Sequence, residues 1–224
     1  MIRIHGLWKS YPSGRGRIQA LSDVSFSVDE GRTLTVVGKS GSGKTTLLNC
    51  TGGLEHPDRG TVNCFGVDIH ALSGKTLSLF QRKNLGFVFQ FGNLLSYLTV
   101  SENISFPLTL NGIEGMERER RVMELLEKIG LSDAGPALPS ELSGGEVQRV
   151  SFARAMAHFP KIILADEPTA SLDSETGLHL VDLMFKTCRE QGCTIVISTH
   201  DQEIIKLSDD ILYLKDGKAA GEQK

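Results

Sequence analysis

Residues 38–45, "GKSGSGKT", form a glycine-rich segment that ends in a lysine and a threonine. Their spacing fits G-x-x-x-x-G-K-[ST], a loop whose backbone N–H groups wrap a chain of phosphates. An apolar run precedes the segment and a helix-forming run follows it, as this pattern requires. We expect Lys44 to reach the β- and γ-phosphates and the Thr45 hydroxyl to bind Mg²⁺. The residues predicted to bind the nucleotide phosphates are Gly38, Lys39, Ser40, Gly41, Ser42, Gly43, Lys44, Thr45 and Thr46.

Two carboxylates, Asp166 and Glu167, follow the apolar run "KIILA". Ligands of α/β sheets bind outside the carboxyl ends of the strands, so both side chains are placed to act on a bound nucleotide. We predict that Asp166 contributes to the Mg²⁺ shell and that Glu167 polarises the attacking water. A polar strand end that caps the next helix is the alternative interpretation of this pair.

Two more apolar runs end in polar residues, "CTIVIST" before His200 and "LGFVF" before Gln90. A lone histidine is more often a surface residue than a catalytic one, and Gln90 alone is typical of a loop. The carboxyl ends of parallel strands meet at one edge of a sheet, however. We therefore expect His200 to lie close to the phosphate loop and to the carboxylates.

Residues 140–150, "SELSGGEVQRV", contain a second pattern suited to an anion. A serine before two glycines offers a hydroxyl and exposed backbone N–H groups at a helix N-terminus. Ser143 and Glu146 also have the spacing of a capping box, which satisfies N–H groups of the helix without any ligand. The two interpretations are compatible, because a capped helix N-terminus is what would face a phosphate.

The elements around these residues change character along the chain. Alternating apolar residues near the N-terminus predict strands, residues 91–145 turn to helical periodicity, and the last third alternates between helix and strand. We predict one domain over residues 1–224, with an α/β core at 1–90 and 146–224 and a helical subdomain at 91–145.

The composition, 40% hydrophobic and 23% charged residues in a chain of 224, is ordinary for a globular protein. The formal net charge of −3 argues against a nucleic-acid partner. Four cysteines lack zinc or C-x-x-C spacing and are expected to be reduced thiols. The N-terminus lacks the apolar segment of a signal peptide, and no run of about 18 apolar residues suggests a membrane span. A membrane partner is not excluded by these features.

Six motifs, "GKSGSGKT", Gln90, "LSGGE", "ILADEP", "SLD" and "STHD", resemble in order and spacing those of ABC transporter ATP-binding subunits. The resemblance covers essentially the whole chain. It implies a P-loop NTPase fold with a mostly parallel sheet, an N-terminal antiparallel part and an inserted helical subdomain. It also implies ATP hydrolysis that requires Mg²⁺.

The resemblance assigns roles to single residues. Tyr11 resembles the aromatic that stacks on adenine, although a tyrosine that simply precedes a turn is the alternative. Gln90 resembles the glutamine that contacts Mg²⁺ and the attacking water, and His200 the switch histidine that contacts the γ-phosphate. Asp173 resembles the aspartate of the D-loop, and Glu167 the catalytic glutamate.

The same resemblance implies that the second anion-binding pattern serves another copy of the chain. Two copies arranged head to tail would place "LSGGE" of one copy on ATP held by the phosphate loop of the other. The residues assigned to this contact are Ser143, Gly144, Gly145 and Glu146.

The segments "TGGLEHPDRG" and "ILADEPTASLD" are most similar to the lipoprotein-releasing and macrolide-export group. That similarity implies a separate transmembrane permease and a position on the cytoplasmic side of the membrane, held by the permease. An importer ATPase and a cell-division-type ATPase without transport remain alternatives. We further hypothesise that Leu94 and Leu95, close after Gln90, form an apolar groove for a permease helix.

Overall fold

Two β-sheets organise the protein in the computed structural model, which describes residues 1–14 and 16–223. The first sheet is antiparallel, with strand order β2-β1-β4-β5. Its strands are β1 (Ile2–Ser13), β2 (Gly16–Val28), β4 (Arg59–Cys64) and β5 (Val67–Asp68). This sheet confirms the expected N-terminal antiparallel part. Its alternation of buried and exposed residues in β2 matches a sheet with one face on the core.

The second sheet has the order β10-β9-β3-β8-β7-β6, and its strands β9, β3, β8, β7 and β6 are parallel. The strands are β3 (Thr33–Val37), β6 (Leu85–Val88), β7 (Ile162–Asp166), β8 (Thr194–Thr199), β9 (Asp210–Lys215) and β10 (Lys218–Gln223). Every residue of β3 and β8 is buried, because both faces of a parallel sheet are covered. The last two strands, β9 and β10, pair as an antiparallel hairpin.

Seven helices accompany the sheets in the described part of the chain. They are α1 (Lys44–Thr51), α2 (Gly74–Asn84), α3 (Val100–Leu110), α4 (Gly115–Lys128), α5 (Gly144–Met156), α6 (Ser174–Glu190) and α7 (Gln202–Lys206). Helix α2 was not predicted from the sequence. None of its residues is fully buried, although Leu77 and Phe80 pack against the core. None of the described helices has the length and apolar character needed to cross a membrane.

Two hydrophobic clusters cover the two faces of the parallel sheet. Ile162 and Leu164 of β7 face a cluster shared with α1 and the antiparallel sheet, whereas Ile163 and Ala165 face the cluster formed with α3, α4, α5 and α6. This alternation follows from the two-residue period of a strand. The predicted boundary at residue 146 falls in the first turn of α5, which packs on both α3 and β6.

The four cysteines are free, as expected, and all of them are buried. Burial raises the pKa of the Cys50 and Cys64 thiols to about 12. A thiol with such a pKa is almost entirely protonated near neutral pH and is a poor nucleophile. These cysteines therefore act as small apolar residues of the core.

The parallel register brings four strand ends to one edge of the sheet. Strands β3, β8, β7 and β6 are successive neighbours and all point the same way. Their carboxyl ends lead into the phosphate loop, His200, Asp166 with Glu167, and Gln90, respectively. The convergence expected from the sequence is present.

Candidate active site

Glycines close the phosphate loop tightly against its surroundings. A Cβ on Gly38 would lie 2.3 Å from the Ser42 Oγ and 2.4 Å from the Leu214 carbonyl oxygen. Gly43 has a φ of +104°, and a Cβ there would lie 2.4 Å from the Ala20 carbonyl oxygen. Only glycine fits these two positions, which leaves the loop backbone free to approach a ligand. Helix α1 begins directly after Gly43, so its N-terminus points into the same loop.

Lys44 is buried beneath the loop, with 5% of its surface exposed. Its Nζ donates to the carbonyl oxygens of Gly38 at 2.8 Å and Lys39 at 3.2 Å. It also lies 3.0 Å from the Glu167 Oε1. The ammonium is therefore held at the base of the loop, where its charge faces the space that a phosphate chain would enter.

Glu167 stands between two other predicted site residues. Its Oε1 pairs with the Lys44 Nζ, and its Oε2 lies 3.9 Å from the Nδ1 of His200. Glu167 also has a φ of +42°, which is uncommon for a residue other than glycine. The strained backbone turns the carboxylate towards the phosphate loop at the strand end, a pattern that is typical of functional sites.

Ser198 of β8, which the sequence interpretation missed, holds both carboxylate residues. Its Oγ donates to the Asp166 Oδ1 at 2.6 Å and accepts from the Glu167 N–H at 2.9 Å. The serine is fully buried in the strand before His200. Its position in "STHD" carried a signal, because a buried polar side chain near a strand end needs a partner.

A cavity of about 400 Å³ brings most of the predicted nucleotide-binding residues together. Its lining comprises Tyr11, Ile18, Gln19, Ala20, Ser40, Gly41, Gly43, Lys44, Thr45, Thr46, Gln90 and Glu167. Tyr11 and Ile18 are cross-strand neighbours in the β1–β2 hairpin, and both line the cavity. Ile18 was not selected from the sequence, although it is an exposed apolar residue beside the aromatic ring.

The residues predicted to hold Mg²⁺ fit that ion by their chemistry. Thr45 and Gln90 line the same cavity, and Asp166 is adjacent to Glu167. All three offer oxygen atoms, which Mg²⁺ prefers. No group of three or more His, Cys, Asp or Glu residues suited to a metal occurs in the described ranges. A small protein ligand set is normal for Mg²⁺, since phosphates and water complete its shell.

Four residues, here called the signature residues, lie outside this cavity at the start of α5: Ser143, Gly144, Gly145 and Glu146. The Ser143 Oγ accepts from the Glu146 N–H at 3.4 Å, and the Glu146 Oε2 accepts from the Ser143 N–H at 2.8 Å and from its Oγ at 2.6 Å. These bonds, that of the Ser143 hydroxyl first, hold the pKa of Glu146 below its usual value. The predicted capping box is present, and Ser143 and Gly144 remain exposed.

Asp173 caps α6 close to this helix start. Its Oδ1 accepts from the Thr176 N–H at 2.9 Å, and this bond lowers the pKa of Asp173. A Cβ on Gly145 would lie 3.0 Å from the Cγ2 of Thr176, so the first turns of α5 and α6 touch. Asp173 is exposed beside the signature residues rather than in the cavity of its own chain.

An apolar groove of about 490 Å³ lies beyond Gln90. Its lining comprises Ser78, Gln81, Arg82, Leu85, Gly86, Phe87, Phe89, Leu95, Phe106, Pro107, Leu110, Arg154, Ala155 and His158. Leu95 contributes to this groove, whereas Leu94 packs against the helical core cluster. Leu94 is therefore not part of the groove lining, because its partly buried side chain packs against the helical core cluster instead.

Comparisons with known proteins agree with this geometry. The profile of the family described as "ABC transporter" matches residues 21–170. A lipoprotein-releasing system ATP-binding protein, LolD, of Bacteroides thetaiotaomicron is 42% identical over 97% of this chain and 98% of its own. The macrolide export ATP-binding/permease protein MacB of Salmonella typhimurium is 40% identical over 97% of this chain but only 34% of its own.

Among solved structures, the ATP-binding cassette MJ0796 in a dimeric post-hydrolysis state bound to ADP and Pi superimposes with a TM-score of 0.93. The two sequences are 39% identical, and the match covers 100% of this chain and 98% of that one. Family profile, relatives and structure all point the same way. The chain belongs to the ABC transporter family and is one of its ATP-binding and ATP-hydrolysing subunits.

Proposed function

We propose that two copies of this chain sandwich ATP head to tail and that hydrolysis moves a separate transmembrane permease. Each composite site would combine the phosphate loop and Glu167 of one copy with Ser143, Gly144 and Gly145 of the other. The MJ0796 cassette, which shares this fold, is dimeric in its post-hydrolysis state, and that dimer supports the proposed arrangement. The observation that carries the proposal is that one chain has two separate anion-binding features on its surface, the phosphate loop and the start of α5.

The phosphate loop and the start of α5 also differ in their surroundings. Lys44 and Glu167 are adjacent in the cavity, while the capped start of α5 is exposed elsewhere. A phosphate chain bound to the loop would pair with the Lys44 ammonium in place of Glu167. The Glu167 carboxylate would then be free to orient water. His200, with 71% of its side chain exposed, is free to turn towards the γ-phosphate.

The remaining residues have supporting roles in this proposal. Tyr11 stacks on the adenine at the hairpin end of the cavity. Thr45, Gln90 and Asp166 hold Mg²⁺, which neutralises phosphate charge when bound. Asp173 borders the contact with the second copy, because it begins the helix that touches the first turn of α5.

The groove beyond Gln90 is the proposed docking site for the permease. Its lining is apolar apart from a few polar groups, and its charged side chains are Arg82 and Arg154, with no carboxylate in the described lining. A short amphipathic helix with one acidic residue would match this surface. We place the subunit on the cytoplasmic face of the membrane, held by that permease. The similarity to LolD and MacB favours lipoprotein release or export over import.

The catalytic part is tested by Glu167→Gln. The amide cannot act as a base, so we expect ATP binding to persist and kcat to fall by about 10²- to 10³-fold. The dimer of two copies that sandwich ATP should then accumulate when ATP is added, and size-exclusion chromatography would detect it. Glu190→Gln is the matched control, because Glu190 is an exposed carboxylate paired with Lys128 at the far end of α6. Normal turnover in Glu167→Gln would refute the assignment of the base.

The docking part is tested by Leu95→Asp. The Leu95 backbone is held by Asn103, whose Oδ1 accepts from the Leu95 N–H at 2.8 Å, so the variant should fold. We expect near-normal ATPase activity of the isolated subunit and loss of co-purification with the permease. Met123→Asp, an equally drastic change at an exposed position of α4, is the control. Full permease binding by Leu95→Asp would place the coupling surface elsewhere.

A further inference from the structure

The loop at residues 89–93, which carries Gln90, is held by side chains of α5. The Nε2 of Gln148 donates to the carbonyl oxygens of Phe89 at 3.2 Å and of Gln90 at 2.5 Å. Gln148 is 1% exposed, and its Oε1 has no hydrogen-bond partner among the described residues. Both amide hydrogens are thus committed to the loop, and the side chain makes no competing bond to its own helix.

A second side chain of the same helix holds the other end of the loop. Arg154 donates through one terminal nitrogen to the Asn93 carbonyl oxygen at 2.8 Å and through the other to that of Gly92 at 2.9 Å. No carboxylate in the described part of the chain forms an ion pair with Arg154. Its guanidinium therefore serves the loop rather than an acidic residue, and bonds from a charged donor are stronger than neutral ones.

The loop backbone also packs directly on the helix between these two anchors. Gly92 is buried with a φ of +70°, and a Cβ there would lie 2.6 Å from the Cγ1 of Val147. Contacts from Phe89, Gln90, Gly92 and Asn93 thus fix one short loop to one helix. Such a contact has little freedom to slide, because it combines close packing with directional bonds.

We propose that Gln148 and Arg154 are positioning residues that make loop 89–93 and α5 move as one body. Ser143, the N-cap of the same helix, lies about 7–8 Å along its axis from Gln148. This would rigidly connect Gln90, in the ATP site of one copy, to the signature residues of the same copy. Those residues face the ATP that is bound to the second copy. This inference rests on the proposed roles of Gln90 and of the dimer. It explains how the γ-phosphate state of one site would be transmitted to the other.

The test is a double-mutant cycle in the isolated subunit. Gln148→Met keeps the shape of the side chain and removes both donors. We expect kcat to fall about tenfold while ATP affinity of the monomer stays unchanged, because no phosphate-loop contact is lost. On a Gln90→Ala background, Gln148→Met should cause little further loss, since the residue acts through Gln90.

The matched control is Asn111→Leu. The Nδ2 of Asn111 likewise donates to two backbone carbonyl oxygens, those of Arg82 at 3.0 Å and Pro107 at 2.9 Å, and neither acceptor belongs to α5 or to the loop. It should lower the melting temperature without changing kcat. If Gln148→Met does not fold, Arg154→Met replaces it in the same double-mutant cycle.

Additive losses of kcat from Gln90→Ala and Gln148→Met would overturn the inference, as would normal kcat in Gln148→Met. A normal kcat in Gln90→Ala alone is a different failure, because it would refute the proposed role of Gln90 itself. The two failures are therefore distinguished by the single variants.

Discussion

Helices α3 and α5 begin with the same N-terminal capping motif. The Glu102 Oε2 accepts from the Thr99 N–H at 2.7 Å, and the Glu146 Oε2 accepts from the Ser143 N–H at 2.8 Å. Both are complete capping boxes. The two helix starts differ in what surrounds the next N–H groups. At α3 the Val100 and Ser101 N–H groups donate to the carbonyl oxygens of Ala137 at 2.8 Å and Gly135 at 3.0 Å.

The corresponding groups at α5 have no such cover. Gly144 is exposed, and the N–H groups of Gly144 and Gly145 donate to no acceptor among residues 1–14 and 16–223. The first helix start is thus closed by its own chain, and the second is available to an anion from outside. A capping box shows where a helix begins, and its neighbours decide whether that end binds a ligand.

The largest difference between the two helix starts is expected from Ser143→Asp and Thr99→Asp. Aspartate accepts the helix N–H as serine and threonine do, so both variants keep this part of the cap. Both lose the bond from the hydroxyl to the glutamate, at 2.6 Å in Ser143 and 3.0 Å in Thr99, so the two changes remain matched. At position 143 the new charge repels the γ-phosphate held by the other copy, and we expect ATPase activity to fall about 100-fold. Thr99→Asp should retain normal activity. The ATPase activities are measured together with the melting temperatures. Equal ATPase activity in the two variants would show that the two helix starts do not differ in ligand binding.

The sequence predicted the site better than it predicted this distinction. Glycines at 38 and 43 and the strand ends before Glu167 and His200 are local signals, and the structure brings them together as expected. The role of Ser198, the cover over Val100 and the packing of Leu94 against the helical core cluster depend on residues far along the chain. Local patterns cannot specify such contacts, because they form only when the sheets and helices pack.

A smaller difference is expected from Gly144→Ala. The nearest atom to the added Cβ is the Leu172 Cδ2 at 3.8 Å, an ordinary contact, so the variant should fold and be at least as stable. The methyl group partly covers the exposed N–H groups, and we expect the ATPase rate to fall several-fold, on the order of a lost neutral hydrogen bond. Unchanged activity at raised stability would show that this face does not contact ATP.

The smallest effect is expected from pH, and it should be the same at both helix starts. Hydrogen bonds from Thr99 and Ser143 lower the pKa of Glu102 and Glu146, respectively. A carboxylate with a lowered folded-state pKa stabilises the protein above its unfolded-state pKa, and this contribution is lost as pH falls through the folded-state value. Glu102→Gln and Glu146→Gln should each reduce the acid-induced drop in melting temperature below about pH 4.5 by a similar amount, on the order of 1 °C.

The central claim is that ATP binds between the phosphate loop of one copy and the start of α5 of another. Subunits with Lys44→Ala lack a working phosphate loop, and subunits with Ser143→Asp lack a working helix start. Only a mixture contains dimers with one site built from two intact halves. The decisive measurement is ATP-dependent dimerisation, with the nucleotide content of each dimer, for the two variants alone and mixed. We predict monomers for each variant alone, and dimers containing one ATP in the mixture. A mixture that stays monomeric, or either variant dimerising alone with two ATP molecules, would contradict the claim.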